Sequence, residues 1–286
     1  MGVLYLVATP IGNLEDISLR ALRVLREADL IAAEDTRHSG RLLKHFDIQT
    51  PMVSYHAHSG TGRAEEVLRV LETGDVAVIS DAGMPGISDP GHDLVRRAIE
   101  RGVRVEPVPG ASAVVAAVAV SGLVPGGFVF AGFLPRRGRE RRATIAVLSG
   151  AGLPLVLYEA PHRLAATLTD LAAVLGDRAV AVCRELTKLH EEVVRTTLEE
   201  ARAEVRERTP RGEYVLVVGA AEGRPEVAEF EDVSELLSER LRAGESPSAA
   251  ARAVARETGQ PRSELYRRAL EVRERARAEA SPASSE

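Results

Sequence analysis

The sequence predicts an α/β protein: two α/β domains followed by a small all-helical C-terminal domain. Three observations carry that expectation. Short apolar runs alternate with helix-length amphipathic segments over residues 3–121, the pattern of a mostly parallel sheet covered on both faces. After the break SGLVPGG at Ser121–Gly127 the alternation resumes with fewer elements, as far as Val218. Beyond Gly219 only helical periodicity is left. The expected domains are 1–122 and 126–220, a linker at 221–232, and a helical domain at 233–280.

Each element has a local reason. Val3–Ala8 and Leu30–Ala33 are apolar strands, and between them Ser18–Ala28 is a helix with Leu19, Leu22 and Leu25 on one face. A short helix is expected at Arg41–Phe46 and a strand at Met52–Tyr55. Helices Ala64–Glu72 and Asp93–Arg101 are stopped by Gly74 and Gly102. Between them lies strand Val76–Ile79. Strand Val103–Val108 leads through Pro109 and Gly110 into a small-residue helix, Ser112–Ser121.

In the second half, strands are expected at Phe128–Phe133, Leu155–Tyr158, Ala179–Cys183 and Tyr214–Val218. Helices fall at Arg141–Ser149, His162–Leu175 and Leu198–Arg208, and the stretch after Cys183 reads as a turn. The C-terminal helices Ser234–Arg242, Ser248–Glu257 and Arg262–Ala278 are separated by GESP and TGQP, a spacing like that of a helix-turn-helix. A plain helical hairpin with solvated charges, such as Glu264 with Arg268, fits equally well. The terminal SPASSE is expected to be disordered.

The stretch Val76–Gly91 is the most informative. A buried strand, Val76–Ile79, runs into a loop carrying Asp81, Gly83, Pro85, Gly86, Asp89, Pro90 and Gly91. In open α/β sheets ligands bind just beyond the carboxyl ends of strands, so acids and glycines there suit a ligand as well as a turn. Five other expected strand ends carry polar clusters: Thr9–Asp16, Glu34–Ser39, Pro109–Ser112, Tyr158–Arg163 and Arg184–Lys188. Six such ends exceed what capping requires and point to a cleft between two sheets.

Composition narrows the function. The chain has 286 residues, 45% of them hydrophobic and only 3% aromatic, without tryptophan. A soluble, globular, cytoplasmic protein is expected, with no secretory leader and no membrane span: the longest aliphatic run, Ala113–Val120, is far shorter than the ~20 residues a spanning helix needs. A lone cysteine, Cys183, excludes an internal disulfide framework. The net charge is −5, yet two segments are basic: Arg136–Arg142 and Arg252–Arg277. Arginine so outnumbers lysine that only Lys44 and Lys188 are lysines; a compact ammonium there is a choice worth noticing. No glycine-rich dinucleotide fingerprint, P-loop, nucleophile elbow or metal-ligand spacing is present, and no acidic residue or cysteine follows His56 and His58 at metal-ligand intervals.

The motifs TPIGNLEDIS, AAEDTRHS, SDAGMPGISDPG, PGASA, YEAPHR, RELTK and RGEYVLVV resemble, in order and spacing, those of the bacterial small-subunit ribosomal RNA cytidine-2′-O-methyltransferases, a family of the tetrapyrrole-methylase superfamily. The likeness runs from about Leu4 to Leu270. It implies a homodimer that uses S-adenosylmethionine, held in a cleft between two α/β domains, to methylate a cytidine ribose in the decoding region of 16S rRNA. The family's cofactor contacts fall on Pro10, Ile11, Asp81, Gly83, Met84, Ser112 and Ala113, and from the second domain on Tyr158, Leu186 and Glu213. Met84 stands where the family usually has threonine. The family's serine at Ala160, its proline at Ala111 and its lysine at Arg211 are also replaced.

A ribose hydroxyl must be oriented and lose its proton, and Glu34, Asp35, His38, Glu159, Glu185 and Lys188 are the available bases. RELTK is the expected catalytic segment, with Lys188 to stabilise the alkoxide or, if its pKa is depressed, to take the proton, and Arg184 and Glu185 to position it. Arg37, His38, Arg136, Arg137, Arg139 and Arg163 are expected to hold RNA phosphate or ribose, within the small ribosomal subunit. No metal site is expected. Other readings are a superfamily methyltransferase acting on a tetrapyrrole or a protein, or a ligand-sensing DNA-binding regulator.

Overall fold

The computed structural model describes residues 1–56, 61–88, 91–221, 230–258 and 260–279. The chain divides into two compact units, Met1–Glu222 and Gly223–Glu286.

The first unit opens with β1 (Val3–Val7), α1 (Leu19–Glu27), β2 (Leu30–Ala33), α2 (Thr36–His45), β3 (Met52–Ser54), α3 (Thr61–Val70), β4 (Val76–Ile79), α4 (His92–Glu100), β5 (Arg104–Val108) and α5 (Ala113–Ser121). Its five strands form one sheet in the order β3-β2-β4-β1-β5, parallel throughout. The near-continuous apolar runs of β2 and β4 follow from burial on both faces. Leu30, Ala32, Val76 and Val78 join the core under α3 and α4, whereas Ile31, Ala33, Ala77 and Ile79 join the core under α1 and α2. Each large aliphatic side chain so buried stabilises by about 1.5–3 kcal/mol.

Two helices differ from expectation. In α1 the buried face is Ala21, Val24 and Leu25, continued by Ala28, and Leu19 is exposed. Ser18 Oγ accepts from the Ala21 N–H at 3.0 Å, capping the first turn, so Leu19 stands outside the inward i, i+3, i+4 stripe. Helix α2 begins at Thr36 and not at Arg41, because Asp35 is its N-cap, accepting from the Arg37 N–H at 2.8 Å. Arg37 also folds its guanidinium back onto Asp35 at 2.8 Å. That hydrogen bond holds the Asp35 carboxyl well below the usual range.

The rest of the first unit comprises β6 (Val129–Phe133), α6 (Gly138–Ser149), β7 (Leu155–Glu159), α7 (Leu164–Leu175), β8 (Ala179–Arg184), β9 (Glu192–Thr197), α8 (Leu198–Glu207) and β10 (Tyr214–Val218). The sheet order is β6-β7-β10-β8-β9. Only β6 and β7 are parallel neighbours; β10 is antiparallel to β7 and β8, and β8 to β9. Alternation predicts helix-connected strands that run the same way, and these do: β7 and β8 share a direction, as do β9 and β10. Alternation does not predict that β10 inserts between β7 and β8. Strand β9 is a correction as well. Residues 185–191 are too few for a crossover helix, so the chain returns as a hairpin, and the edge strand EVVRTT is polar at four of its six positions.

Helices α6, α7 and α8 cover one face of this sheet. The other face receives α5: Val114 and Ala117 pack with Val156, Ala181, Cys183 and Val217. The last helix of the first sheet thus seals the second. A second tie is Arg195, whose guanidinium donates to the carbonyls of Ser121 and Val120.

In the second unit, α9 (Phe230–Arg242), α10 (Pro247–Thr258) and α11 (Arg262–Glu279) close around Val233, Leu237, Ala250, Ala251, Val254, Leu265 and Ala269. The unit is helical, as expected. Glu264 lies 4.0 Å from Arg267, one turn along α11. Asp89, Pro90, His58, most of the expected linker and the SPASSE terminus lie outside the described residues. Among the described residues, no helix is long and apolar enough to cross a membrane.

Candidate active site

Parallel strands deliver the loops after β1, β2, β4 and β5 to one edge of the first sheet. Antiparallel insertion does the same in the second sheet by a different route: Tyr214, the first residue of β10, is in register with Glu159 and Arg184, the last residues of β7 and β8. Glu213 and the loops after β7 and β8 therefore meet at one edge.

A cavity of about 570 Å³ is lined from both edges. From the first sheet come Ile11, Glu34, Asp81, Gly83, Met84, Ser112 and Ala113; from the second come Tyr158, His162, Cys183, Glu185, Leu186, Lys188 and Glu213. Nine of the ten residues that the resemblance assigns to the cofactor thus line one space, with Pro10 the exception. A cavity of this size, apolar with a few convergent charges, suits a small organic ligand.

On the first wall, the loops are fixed by backbone. Thr9 and Gly83 exchange N–H···O bonds at 2.9 and 3.1 Å, so the Gly83 N–H is already engaged. Its φ of +78° explains the glycine. Asp81 Oδ1 accepts from the Asp35 N–H at 3.2 Å, and Glu34 Oε2 from the Asp81 N–H at 3.4 Å. Two carboxylates are thereby brought together in the cavity wall.

The second wall holds a compact ionic cluster. Lys188 Nζ donates to Glu185 Oε1 at 2.9 Å and to Glu213 Oε2 at 2.7 Å. The Glu213 N–H donates to Glu185 Oε1 at 2.9 Å, and the Glu185 N–H to the Glu213 carbonyl at 2.9 Å. Burial alone would lower the Lys188 pKa, but the hydrogen bonds to Glu213 and Glu185 outweigh it and raise the pKa above its ordinary value. Burial works to raise the Glu185 carboxyl, and the Lys188 and Glu213 hydrogen bonds outweigh it downward. Of the two roles open to Lys188, the one that needed a depressed pKa does not fit these contacts, which hold it as an ammonium. Its loop is strained, with φ of +50° at Glu185 and +66° at Thr187, a feature that concentrates at functional sites.

The two walls touch at Gly12. A Cβ there would lie 2.3 Å from Lys188 Cγ, and the adjacent Asn13 N–H donates to Thr187 Oγ1 at 3.1 Å.

Other expected residues lie elsewhere. The side chain of Arg184 points away from the cavity, because strand neighbours alternate faces and Cys183 and Glu185 take the inner one. Its guanidinium donates to the Arg211 carbonyl at 2.8 Å and pairs with Glu192 at 3.5 Å, lining a groove of about 150 Å³ on the reverse face. Arg163 is internal too, bonded to the Leu134 carbonyl at 2.6 Å and paired with buried Glu159 at 3.2 Å. Glu159 further accepts from the Ala160 N–H and from Thr167 Oγ1. Arg37 is paired with Asp35 and exposed beside exposed His38. The expected arginine loop is half helix: Arg136 and Arg137 precede α6 and Arg139 lies in its first turn, all exposed, while Arg141 turns inward onto Asp170 at 2.6 Å.

Glu34, His162 and Cys183 line the cavity without having been assigned to the ligand. Glu34, the first residue after β2, is among the bases the sequence offers but not among the expected cofactor contacts. Burial pushes the Cys183 thiol up to about 11, so it stays protonated and inert. Among the described residues no group of three His, Cys, Asp or Glu is placed to hold a metal ion.

Comparison with known proteins identifies the family and the fold. Residues 3–202 match the family model of the Tetrapyrrole (Corrin/Porphyrin) Methylases, and residues 227–273 match that of the RsmI C-terminal HTH domain. The chain is 50% identical over 276 residues to a Ribosomal RNA small subunit methyltransferase I of Synechocystis sp., covering 95% of this chain and 99% of that one. It is 46% identical to the protein of that name from Halalkalibacterium halodurans, over 93% of each. In fold, residues spanning 76% of the chain match a diphthine synthase over 90% of its length with a TM-score of 0.61 at 16% identity. A uroporphyrin-III C-methyltransferase from Thermus thermophilus, complexed with S-adenyl homocysteine, matches over 76% of this chain and 97% of its own with a TM-score of 0.54 at 22% identity. The chain belongs to the tetrapyrrole (corrin/porphyrin) methylase family and, within it, to the group of the Ribosomal RNA small subunit methyltransferase I proteins.

Proposed function

We propose that this protein methylates the 2′-hydroxyl of a cytidine in the decoding region of 16S rRNA, in the small ribosomal subunit, using S-adenosylmethionine. The observation that carries the reading is a ligand-sized cavity with paired carboxylates on one wall and a fixed ammonium on the other. The residues fit the donor. Ile11, Met84, Tyr158 and Leu186 offer apolar surface, and Asp81 and Glu213 offer acceptors for its amino and hydroxyl groups. Met84 presents a thioether where the family usually has a hydroxyl, so any contact there is apolar or made by backbone. When bound, S-adenosylmethionine supplies an electrophilic methyl group.

The chain's own work is to bind, orient and stabilise. Lys188, held at its ammonium by Glu185 and Glu213, stabilises negative charge developing on the substrate oxygen, the office of a preorganised cation. Glu185 positions Lys188. Arg184 acts only from behind, bracing the segment through the Arg211 carbonyl. Exposed Arg37, His38, Arg136, Arg137 and Arg139 are the RNA contacts of this reading, and Arg163 supports it from inside by fixing the turn after β7. Phosphate contacts of this kind make binding weaken steeply with salt. The proposal extends to a homodimer working in the cytoplasm; light scattering on the purified protein checks the first part.

The test is transfer of label from methyl-labelled S-adenosylmethionine to purified small subunits, followed by nuclease digestion. Label in 2′-O-methylcytidine supports the reading. Labelled protein or tetrapyrrole with unlabelled RNA overturns it.

A further inference from the structure

We propose that Glu34 is a further catalytic residue, the proton acceptor for the substrate hydroxyl. The proposal rests on the methyl-transfer reading above and deepens it.

A hydroxyl that attacks a methyl group must give up a proton, and Lys188 offers no lone pair to receive it. The cavity's other carboxylates are already engaged. Glu159 is 2% exposed, with both oxygens bonded. Glu185 and Glu213 are both paired with Lys188. Asp81 accepts from the Asp35 N–H and is the acid that the family assigns to the donor. Glu34 receives only the long 3.4 Å bond from the Asp81 N–H, and among the described residues it makes no ion pair.

Its surroundings make it basic. Burial first, then the Asp81 and Asp35 carboxylates, raise its pKa, against the Asp81 N–H and His56. A carboxylate with a raised pKa takes a proton more readily while still ionised. Its place is fixed, because the Glu34 N–H donates to the Ile79 carbonyl at 3.2 Å, tying β2 to β4. Across the cavity stand Lys188, Glu185, Glu213 and exposed His162. The step balances: the hydroxyl O–H bond breaks and its proton passes to Glu34. The oxygen's electron pair forms the new O–CH₃ bond, and the pair of the breaking C–S bond stays on sulfur. Glu34 then returns the proton to water.

The experiment is single-turnover methylation of small subunits across pH, at saturating donor, with Glu34→Gln, Glu34→Asp and His162→Asn. Equilibrium binding of S-adenosylmethionine and of the subunit, and thermal unfolding, are measured alongside. Glu34→Gln is expected to lower the rate by about 100-fold or more, to abolish the fall in rate at acid pH, and to leave both affinities unchanged. Glu34→Asp should recover part of the rate and the acid limb. A raised carboxyl pKa in the folded state means a charge that opposes folding above that pKa. Glu34→Gln should therefore unfold at a higher temperature than wild type at pH 7, and the gap should close as pH falls through the raised folded value to the ordinary one. The proposal is overturned if Glu34→Gln keeps the acid limb, if His162→Asn removes it, or if Glu34→Gln weakens binding while the rate holds. A wild type that methylates no subunit RNA refutes the functional reading itself.

Discussion

The two sheets supply the same cavity by different means. The first is wholly parallel, and its interior is apolar apart from small hydroxyls: its buried polar residues are Thr9, Ser39, Ser80 and Ser121. The second is mixed, and it buries charge: Arg141, Glu159 and Asp170. In a parallel sheet every strand delivers its following loop to the same edge, so register alone builds the first wall. The second wall combines two strand ends with one strand start. Ionic fasteners hold its turns: Asp170 joins α7 to Arg141 and Arg142 on α6, and Glu159 joins β7 to Arg163 and Thr167. The wall that carries the ammonium is thus the one whose shape depends on charge.

The sharpest break of that contrast is Asp170→Ala. It leaves Arg141 buried without its carboxylate and should cost about 3–5 kcal/mol in denaturant unfolding, whereas Ile79→Val in the first sheet should cost about 0.5–1.5 kcal/mol. Next is Gly12→Ala, at the contact between the walls. Its Cβ cannot coexist with Lys188 Cγ at 2.3 Å, and a displaced ammonium should lower the methylation rate by about 100-fold with donor affinity retained. Thr197→Ala removes the capping box in which Thr197 and Glu200 satisfy each other's N–H groups at the start of α8, a loss of about 1 kcal/mol in thermal unfolding.

The smallest effect is electrostatic. The Glu185 carboxyl is lowered from 4.5, so its contribution is present above that value and is lost as pH falls through the folded one. Lys188 is raised from 10.5, so its contribution is present below that value and is lost as pH rises through the folded one. The stability difference between wild type and Lys188→Met should be flat from about pH 5 to about pH 10 and shrink at both ends. A difference that varies within that window contradicts the pairing.

Periodicity and turn chemistry made most of the helices and strands legible, because the buried runs in β2, β4 and β10 are too apolar to be anything else. The insertion of β10 and the hairpin to β9 were not legible, since strand order is a tertiary fact and no residue of β9 is fully buried. The start of α2 was written in Asp35, an N-cap overlooked for the later apolar pair Leu42 and Leu43. At the site, the motif loops converge as the resemblance implies. Arg184 and Arg163 could not be told from ligand contacts because a basic side chain at a strand end has two faces to choose from, and both chose backbone carbonyls and internal acids. Glu213 sits at the start of a strand, where a parallel reading would not seek a site residue. The sign of the Lys188 shift depended on two carboxylates, one of them 25 residues away in sequence.

The most direct measurement compares Asp81→Ala with Lys188→Ala in two assays, equilibrium binding of S-adenosylmethionine and single-turnover methylation at saturating donor. The account predicts that Asp81→Ala loses donor affinity, and that Lys188→Ala binds the donor as wild type does yet transfers methyl at least about 100-fold more slowly. Normal transfer by Lys188→Ala, or loss of its donor binding in step with its rate, would contradict the assignment of the ammonium to the chemistry.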